Sequence, residues 1–276
     1  KMEGSGNDYI YINGFEEKVI NPVVLAVKMS RYHFGAYSDG LILILPSDVA
    51  DFKMRMFNSD GSESGMCGNG VRCIAKYVYE RGLTDKTTIT LETLSGIKTL
   101  VCHVEDGAVT SVTVDMGEPR LAAKAIPCAL TGDRILKHPI EIDGETWPVT
   151  LVSMGNPHAV IFVDLPQAAP VETIGKAIEN HPLFPQRTNV EFVTVVDRQH
   201  LSMRVWERGT GETLACGTGA CAAMVATAIN GLCDRQVDIQ LLGGSLHVEW
   251  NKNDGHVYMT GPAKFVYDGE WLGDET

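Results

Sequence analysis

The sequence predicts an α+β protein of two pseudo-symmetric domains, each a mostly antiparallel sheet wrapped around a central helix. Three observations predict it. The first is an internal repeat. Cys67-Gly68-Asn69-Gly70 returns as Cys216-Gly217-Thr218-Gly219, and the closing Gly82-Leu83 returns as Gly231-Leu232; 216 minus 67 and 231 minus 82 both give 149. On that register Gly6-Asn7 meets Gly155-Asn156, Met54-Arg55 meets Met203-Arg204, Phe57 meets Trp206 and Glu63 meets Glu212. Pro22 and His33 answer Pro170 and His181 with a slip of one residue. The second is the run behind each cysteine. Ala220 to Ile229 is apolar nearly all round, the pattern of a helix buried inside its domain. Ile74, Ala75, Tyr77 and Val78 make the first run similar, with Arg72, Lys76 and Glu80 as its expected polar edge. The third is a set of short β-branched and apolar runs between turn signals in each half.

Taken in order, Asp8 to Asn13 follows the Gly4-Ser5-Gly6-Asn7 turn as a strand, rich in β-branched and aromatic residues. Asn21 is a good N-cap and Pro22 a good first helical residue, so a helix is expected to about Tyr32. Gly40 to Leu45 reads as a buried strand ended by Pro46, and Lys53 to Asn58 alternates charged and apolar residues like a half-buried strand. Beyond the first cysteine helix come strands at Thr88 to Thr93, Lys98 to Val104 and Val109 to Asp115, with turns at Ser95-Gly96 and Asp106-Gly107. The second half repeats the order. Strands are expected at Thr150 to Met154 and His158 to Asp164, and a helix from Pro170 to Asn180. Further strands follow at Val190 to Val196, Leu201 to Glu207, Val237 to Leu241 and Leu246 to Trp250. The expected domains are residues 1–117, joined by a C-terminal strand within 264–276, and residues 118–263.

Composition narrows the function classes. The chain has 23 basic and 35 acidic residues, a net charge of −12, which argues against nucleic acid and anionic membrane surfaces as partners. No apolar run approaches the roughly 18 residues of a membrane span; the best candidates are Leu41 to Leu45 and Ala159 to Val163. No signal peptide is read at Lys1, and without an initiator Met a few native residues are expected before it. The seven cysteines are odd in number and show no small-scaffold spacing, so no disulfide framework is expected. Neither C-x-x-C nor H-x-x-x-H occurs, and no metal site is expected. Reduced thiols in the cytoplasm are the reading.

The repeated loop carries the chemistry. A helix N-terminus offers free N–H groups and a dipole that favour an anion, and should lower a cysteine there from about 8.5 toward neutrality. Glycines beside it let a ligand approach the backbone. One such loop alone is ordinarily packing; two copies that keep Cys-Gly-x-Gly while the helices beyond diverge point to paired thiols acting on one carbon. Such a pair suits stereoinversion: one thiolate removes a proton from one face and the other thiol delivers one to the opposite face. The helix ends would stabilise the carbanion electrostatically in place of a Schiff-base cofactor. Cys73, Cys221 and Cys233 read as core, and Cys102 and Cys128 carry no signal. A phosphate site lacks both the Walker Lys-Ser/Thr and a strand-linked GxGxxG. Three readings compete: another two-thiol racemase of the proline racemase kind, a redox sensor closing a Cys67–Cys216 disulfide, and a binding module without catalysis.

The motifs together resemble a family. Lys1-Met2-x-Gly4-x-Gly6-Asn7-Asp8, Phe57-Asn58-x-Asp60-Gly61-Ser62-Glu63 and Cys67-Gly68-Asn69-Gly70-x-Arg72-Cys73 are similar to segments of diaminopimelate epimerase. So are Gly155-Asn156-Pro157-His158, Glu207-Arg208-Gly209-x-Gly211-Glu212-Thr213 and Ala215-Cys216-Gly217-x-Gly219-Ala220-Cys221, in the family's order over almost the whole chain. The resemblance implies a cofactor-independent epimerase of L,L- and meso-diaminopimelate on the route to lysine and peptidoglycan, working on a small amino-acid substrate. It implies Cys67 and Cys216 as acid and base, with His158 and Glu207 tuning them. Gly68, Asn69, Gly217 and Thr218 would hold the reacting end through backbone N–H groups. Asn7, Asn58, Asn156, Asn189, Glu207 and Arg208 match substrate-binding positions, and asparagines and a guanidinium suit a zwitterion with a distal carboxylate. Tyr267 matches a homodimer contact, so a homodimer is expected. The chain departs from the pattern at Gly40, where many members have glutamine, at Ser5 for a common leucine and at Thr218 for a common serine.

Overall fold

In a computed structural model the described residues are 1–273, and the chain forms two compact units. One is Lys1–Asp115 with the segment from Thr260, the other Met116–Met259. The unit boundaries fall a few residues before those expected from the repeat.

The first unit is built from β1 (Met2–Gly4), β2 (Asn7–Asn13), α1 (Pro22–Ser30), β3 (Gly40–Leu45), β4 (Phe52–Asn58), β5 (Glu63–Ser64), α2 (Gly68–Glu80), β6 (Thr88–Thr93), β7 (Gly96–Glu105) and β8 (Ala108–Gly117). β2 runs parallel to β3; β4 lies antiparallel to β3 and β5 and parallel to β6; β6, β7 and β8 form a meander. Asn21 caps α1 as its sequence suggests, its side chain accepting from the Val24 N–H at 3.3 Å. The helix stops at Ser30 rather than Tyr32, because Arg31 is already extended.

The second unit contains β9 (His138–Ile142), β10 (Glu145–Ser153), β11 (Pro157–Phe162), α3 (Lys176–Glu179), β12 (Asn189–Val195), β13 (His200–Glu207), β14 (Gly211–Thr213), α4 (Gly217–Ile229), β15 (Gln236–Leu241), β16 (Gly244–Trp250) and β17 (Val257–Gly261). β11, β12, β13, β14, β15 and β16 repeat the directions of β2 to β7. The repeat holds to the residue. Leu41 pairs with Phe57 in one unit and Val190 with Trp206 in the other, each number raised by 149. Arg55 grips Glu63 through two bonds of 2.7 and 3.0 Å, and Arg204 grips Glu212 through two of 2.6 and 2.8 Å. Beyond β17 the chain returns to the first unit, where β18 (Lys264–Phe265) pairs with β1.

Each cysteine helix is the core of its unit. From Ala220 to Thr227 every residue of α4 is buried, and four of those eight are alanines, which let strands approach closely. In α2 the residues from Gly68 to Ala75 are buried. Arg72 is the departure: expected on a polar edge, it is fully buried. Its guanidinium donates to the carbonyls of Gly68 and Pro262 at 3.1 Å each and approaches Ser5 Oγ at 3.4 Å, so backbone oxygens replace the water it gives up.

Two other expectations change. The helix expected over Pro170 to Asn180 is a π-helical turn, Val171–Gly175, followed by only the short α3. Gly175 lies against Trp206, where an added Cβ would stand 2.6 Å from the Trp206 Cβ, so the helical sequence is interrupted by a residue that packing requires and helices disfavour. Strand β9 was not expected. Its Pro139 faces Pro148 across the β9–β10 pairing, and proline has no N–H to give a ladder, so neither residue marks a strand by its type.

Candidate active site

In the first unit, Cys67 is the N-cap of α2 in extended backbone (φ −129°, ψ 120°) and is half-buried, with no side-chain cap to the helix. Its thiol donates to Asn7 Oδ1 at 3.1 Å. Asn7 is oriented by Asp39, which accepts from Asn7 Nδ2 at 2.6 Å and from the Asp8 N–H at 3.1 Å. Gly70 lets Ile42 pack against the helix, since a Cβ there would meet Ile42 Cδ1 at 2.8 Å and move that methyl. Asn58 ends β4 and donates to Ser62 Oγ at 3.0 Å. Gly68 and Asn69, both buried, supply N–H groups of the first helical turn.

In the second unit, Cys216 caps α4 with nearly the same backbone (φ −121°, ψ 113°) but is only 6% exposed. Its sulfur accepts from the Gly219 N–H at 3.4 Å and lies 3.5 Å from the Thr218 hydroxyl. Both contacts favour a thiolate. Burial works against it and dominates, and the carboxylates of Glu207 and Glu191 add to burial, so the thiol is pushed well above its ordinary range. The expectation that the helix end alone would bring this cysteine toward neutrality is therefore corrected: desolvation and two neighbouring acids outweigh the dipole. Burial raises the expected core cysteines Cys73 and Cys233 to about 12, and it also raises Cys102, which carried no signal in the sequence, to about 11.

Around Cys216 the polar side chains are linked. Asn156 Nδ2 donates to Thr218 Oγ1 at 3.2 Å, and Asn156 Oδ1 lies 3.0 Å from His158 Nε2. The other ring nitrogen, Nδ1, is 2.7 Å from Glu191 Oε1. His158 and Glu191 are both 0% exposed. Glu207, at the end of β13, accepts from the Thr213 hydroxyl. Asn189 joins two strands and a loop: its Nδ2 donates to the Pro157 carbonyl at 2.8 Å, and its Oδ1 accepts from the Arg208 N–H at 2.9 Å. The Arg208 guanidinium rests on the Gln186 carbonyl at 3.0 Å. Buried Glu179 holds this loop from below, accepting from Trp206 Nε1 at 2.7 Å and the Gly209 N–H at 2.8 Å.

The expected residues thus fall into two groups by unit. Asn7 and Cys67 are directly bonded; Asn156, His158, Thr218 and Cys216 form a second chain; Asn189 and Arg208 are bonded to each other. Tyr267 is 43% exposed on the segment after β18, and its carbonyl accepts from the Lys1 amino group at 2.7 Å. Sequence reading missed Glu191 and Glu179. Glu191 had a signal: it is the one charged residue in the apolar run Val190 to Val193, and 191 minus 149 is Ile42.

The match to known proteins is extensive. The family model described as diaminopimelate epimerase matches residues 1–122 and 150–266. The chain belongs to the diaminopimelate epimerase family. It is 58% identical over 270 residues to the diaminopimelate epimerase of Acetivibrio thermocellus, covering 98% of this chain and 96% of that protein. The enzyme of that name from Methanococcus maripaludis strain C5 is 53% identical, with 98% of each chain covered. Among solved structures, a hydroxyproline epimerase from Agrobacterium vitis superposes with a TM-score of 0.69 at 16% identity, covering 96% of this chain and 88% of that one. A PhzF-family phenazine biosynthesis protein from Bacillus anthracis gives 0.69 at 19% identity, covering 98% and 97%. These two likenesses establish the shared fold of the family, α+β and duplicated. Among the described residues no helix is long and apolar enough to cross a membrane.

Proposed function

We propose that the protein interconverts L,L- and meso-diaminopimelate by proton exchange at the α carbon, with Cys67 and Cys216 alternating as base and acid, in the supply of lysine and peptidoglycan precursors. The observation that carries this is the repeated setting of the two thiols. Each stands at the start of a central helix, yet the groups around them differ in charge. A stereoinverting pair needs that difference, since one sulfur must take a proton while the other gives one. Burial and the neighbouring acids keep the proton on Cys216 at rest, so Cys216 begins as the acid, and Cys67 must give up the proton it donates to Asn7 before it serves as the base.

In the forward step the α C–H bond breaks and an S–H bond forms at Cys67, while the S–H of Cys216 breaks and a new C–H forms on the opposite face. No proton is gained or lost overall, but the two sulfurs have exchanged states. Exchange with water resets them, which is why solvent hydrogen enters the product. The N–H groups of Gly68, Asn69, Gly217 and Thr218 would hold the carboxylate where carbanion charge develops, a preorganised electrostatic role. Asn7, Asn58, Asn156 and Asn189 supply donors and acceptors to the zwitterion. Arg208 would exchange the Gln186 carbonyl for a distal carboxylate, which a guanidinium grips with two bonds. His158 and Glu207 set the charge at Cys216. No Schiff-base cofactor is called for in this scheme. The enzyme works in the cytoplasm, where thiols stay reduced, as a homodimer with Tyr267 at its contact.

The test is wash-in of solvent deuterium, run in parallel on diaminopimelate, proline and other amino acids. Incorporation at the α position of diaminopimelate is expected. Incorporation into proline alone would replace this reading with a racemase of the proline type, and incorporation into neither would remove it.

A further inference from the structure

The side chain that the reaction scheme leaves unused is Glu191. It projects from the middle of β12, fully buried, with one carboxyl oxygen 2.7 Å from His158 Nδ1. The other oxygen, Oε2, is buried without a hydrogen-bond partner. A buried carboxyl with half its acceptors unused costs stability, so packing does not account for it. The duplication supplies the control. The equivalent position in the first unit is Ile42, which fills the same place against its helix: a Cβ on Gly70 would meet Ile42 Cδ1 at 2.8 Å, and a Cβ on Gly219 would meet Glu191 Oε1 at 2.8 Å. The fold is thus complete with an aliphatic residue there. That same hypothetical Gly219 Cβ lies 3.3 Å from the Cys216 sulfur, so the glycine brings carboxyl and thiol close together.

Donor bookkeeping shows what the carboxyl does. Asn156 gives its Nδ2 hydrogen to Thr218, so its Oδ1 faces His158 and accepts from Nε2–H. The remaining ring nitrogen faces Glu191 Oε1 across 2.7 Å, a contact that holds one proton. Thr218, accepting from Asn156, keeps its own hydroxyl hydrogen for the Cys216 sulfur at 3.5 Å. The order Glu191, His158, Asn156, Thr218, Cys216 is therefore directional, and Glu191 is its fixed end. The charged and titratable groups facing the thiol are Glu191 and Glu207; those facing Glu191 are His158 and Glu207.

We propose that Glu191 is a positioning residue of the Cys216 site: its carboxyl orients His158, and through it Asn156 and Thr218, and stands beside the Cys216 thiol at Gly219. This rests on the two-thiol reading for its kinetic arm but not for its chemical one.

The test is Glu191→Gln, which keeps shape and removes charge. In a Cys67→Ser background, iodoacetamide labelling of Cys216 followed by peptide mass spectrometry gives the pH at which that thiol ionises, whether or not the enzyme turns over. Burial raises Glu191, and the facing His158 works against that, so the midpoint is expected to move to lower pH in Glu191→Gln as the carboxyl held charged by His158 leaves the side of the thiol. In the otherwise native enzyme, kcat is expected to fall by about tenfold or more in both directions with KM changed by less than about threefold. An unmoved labelling midpoint overturns the proposal, even if kcat falls, since a packing role alone gives that result. Unchanged kcat overturns it as well. Should Glu191→Gln not fold, ¹⁵N NMR of the native protein decides: His158 Nε2 carries hydrogen in this arrangement, and a bare Nε2 overturns it. Failure of the wild type to epimerise diaminopimelate would sink the proposed function while leaving the labelling result standing on its own.

Discussion

The two cysteine loops share a backbone and differ in nearly every polar neighbour. Where the first has Tyr9, Ile42, Asn58 and Asn69, the second has His158, Glu191, Glu207 and Thr218, at a constant offset of 149. Strand register, the paired glycines and the bidentate Arg–Glu clamp are the same in both. The first thiol is half-buried and donates to an amide; the second is buried, receives two donors and is ringed by acids. The lesson is that one scaffold can surround the same sulfur with different polar groups, by changes at facing strand positions and at one position in the first turn of each helix, Asn69 and Thr218.

The largest effect that probes this comparison is loss of either sulfur. Cys67→Ser and Cys216→Ser should each lower epimerisation by roughly 10²–10⁴-fold, assayed in both directions. A fully active serine variant at either site would show that the two loops do not act together. Next comes an exchange of the strand residues. Ile42→Glu places a carboxyl where the first unit offers no histidine and should destabilise by about 3–5 kcal/mol, whereas Glu191→Ile removes a partner from His158 and should cost about 1–3 kcal/mol. Urea denaturation midpoints measure both, and equal costs would contradict the claim that only the second unit is built to hold charge.

A third expectation concerns pH. Because Cys216 is raised by burial and acids, its thiolate is scarce at neutral pH, and labelling of that residue should climb about tenfold per pH unit up to pH 9. Labelling already at its plateau at pH 7 would reverse the assignment of Cys216 as the resting acid. The smallest effect separates the two Arg–Glu clamps. Arg204 is 18% exposed against 38% for Arg55, and it also donates to the carbonyls of Pro166, Gln167 and Ala169. Arg204→Ala should cost about 2 kcal/mol and Arg55→Ala less than about 1 kcal/mol. Thermal melts of the two variants check the order.

Much of the fold is legible in the sequence because the duplication prints each element twice, and a weak pattern in one copy is supported by its partner. Strand Gly40–Leu45 and its counterpart, and both cysteine helices, are read this way. What escapes has no second copy or breaks a local rule for a tertiary reason. Strand β9 has a proline of its own, Pro139, and faces another, Pro148 of β10, which mask it, and the turn at Gly175 answers to the indole of Trp206. Arg72 reads as a surface charge because periodicity cannot see the carbonyl of Pro262, 190 residues away, that satisfies it. The paired thiols are legible as a motif, and Asn156, His158 and Arg208 through the family resemblance. The state of Cys216 is not, since it depends on acids from two different strands whose approach only the folded sheet determines. Glu191 stands between: a charge in an apolar run is visible, but its meaning comes from Ile42.

The bond from Arg72 to Pro262 has a consequence for synthesis. The first unit closes only with residues that follow the whole of the second, since β18 pairs with β1 and a guanidinium at the heart of α2 needs the Pro262 carbonyl. The unit over 116–259 is continuous and can assemble as it leaves the ribosome. The earlier-made half must wait for the last of the carbonyls to which Arg72 donates in the finished unit. Translation order and completion order therefore run opposite in this chain, and the nascent amino-terminal half is the stretch that most needs protection from aggregation.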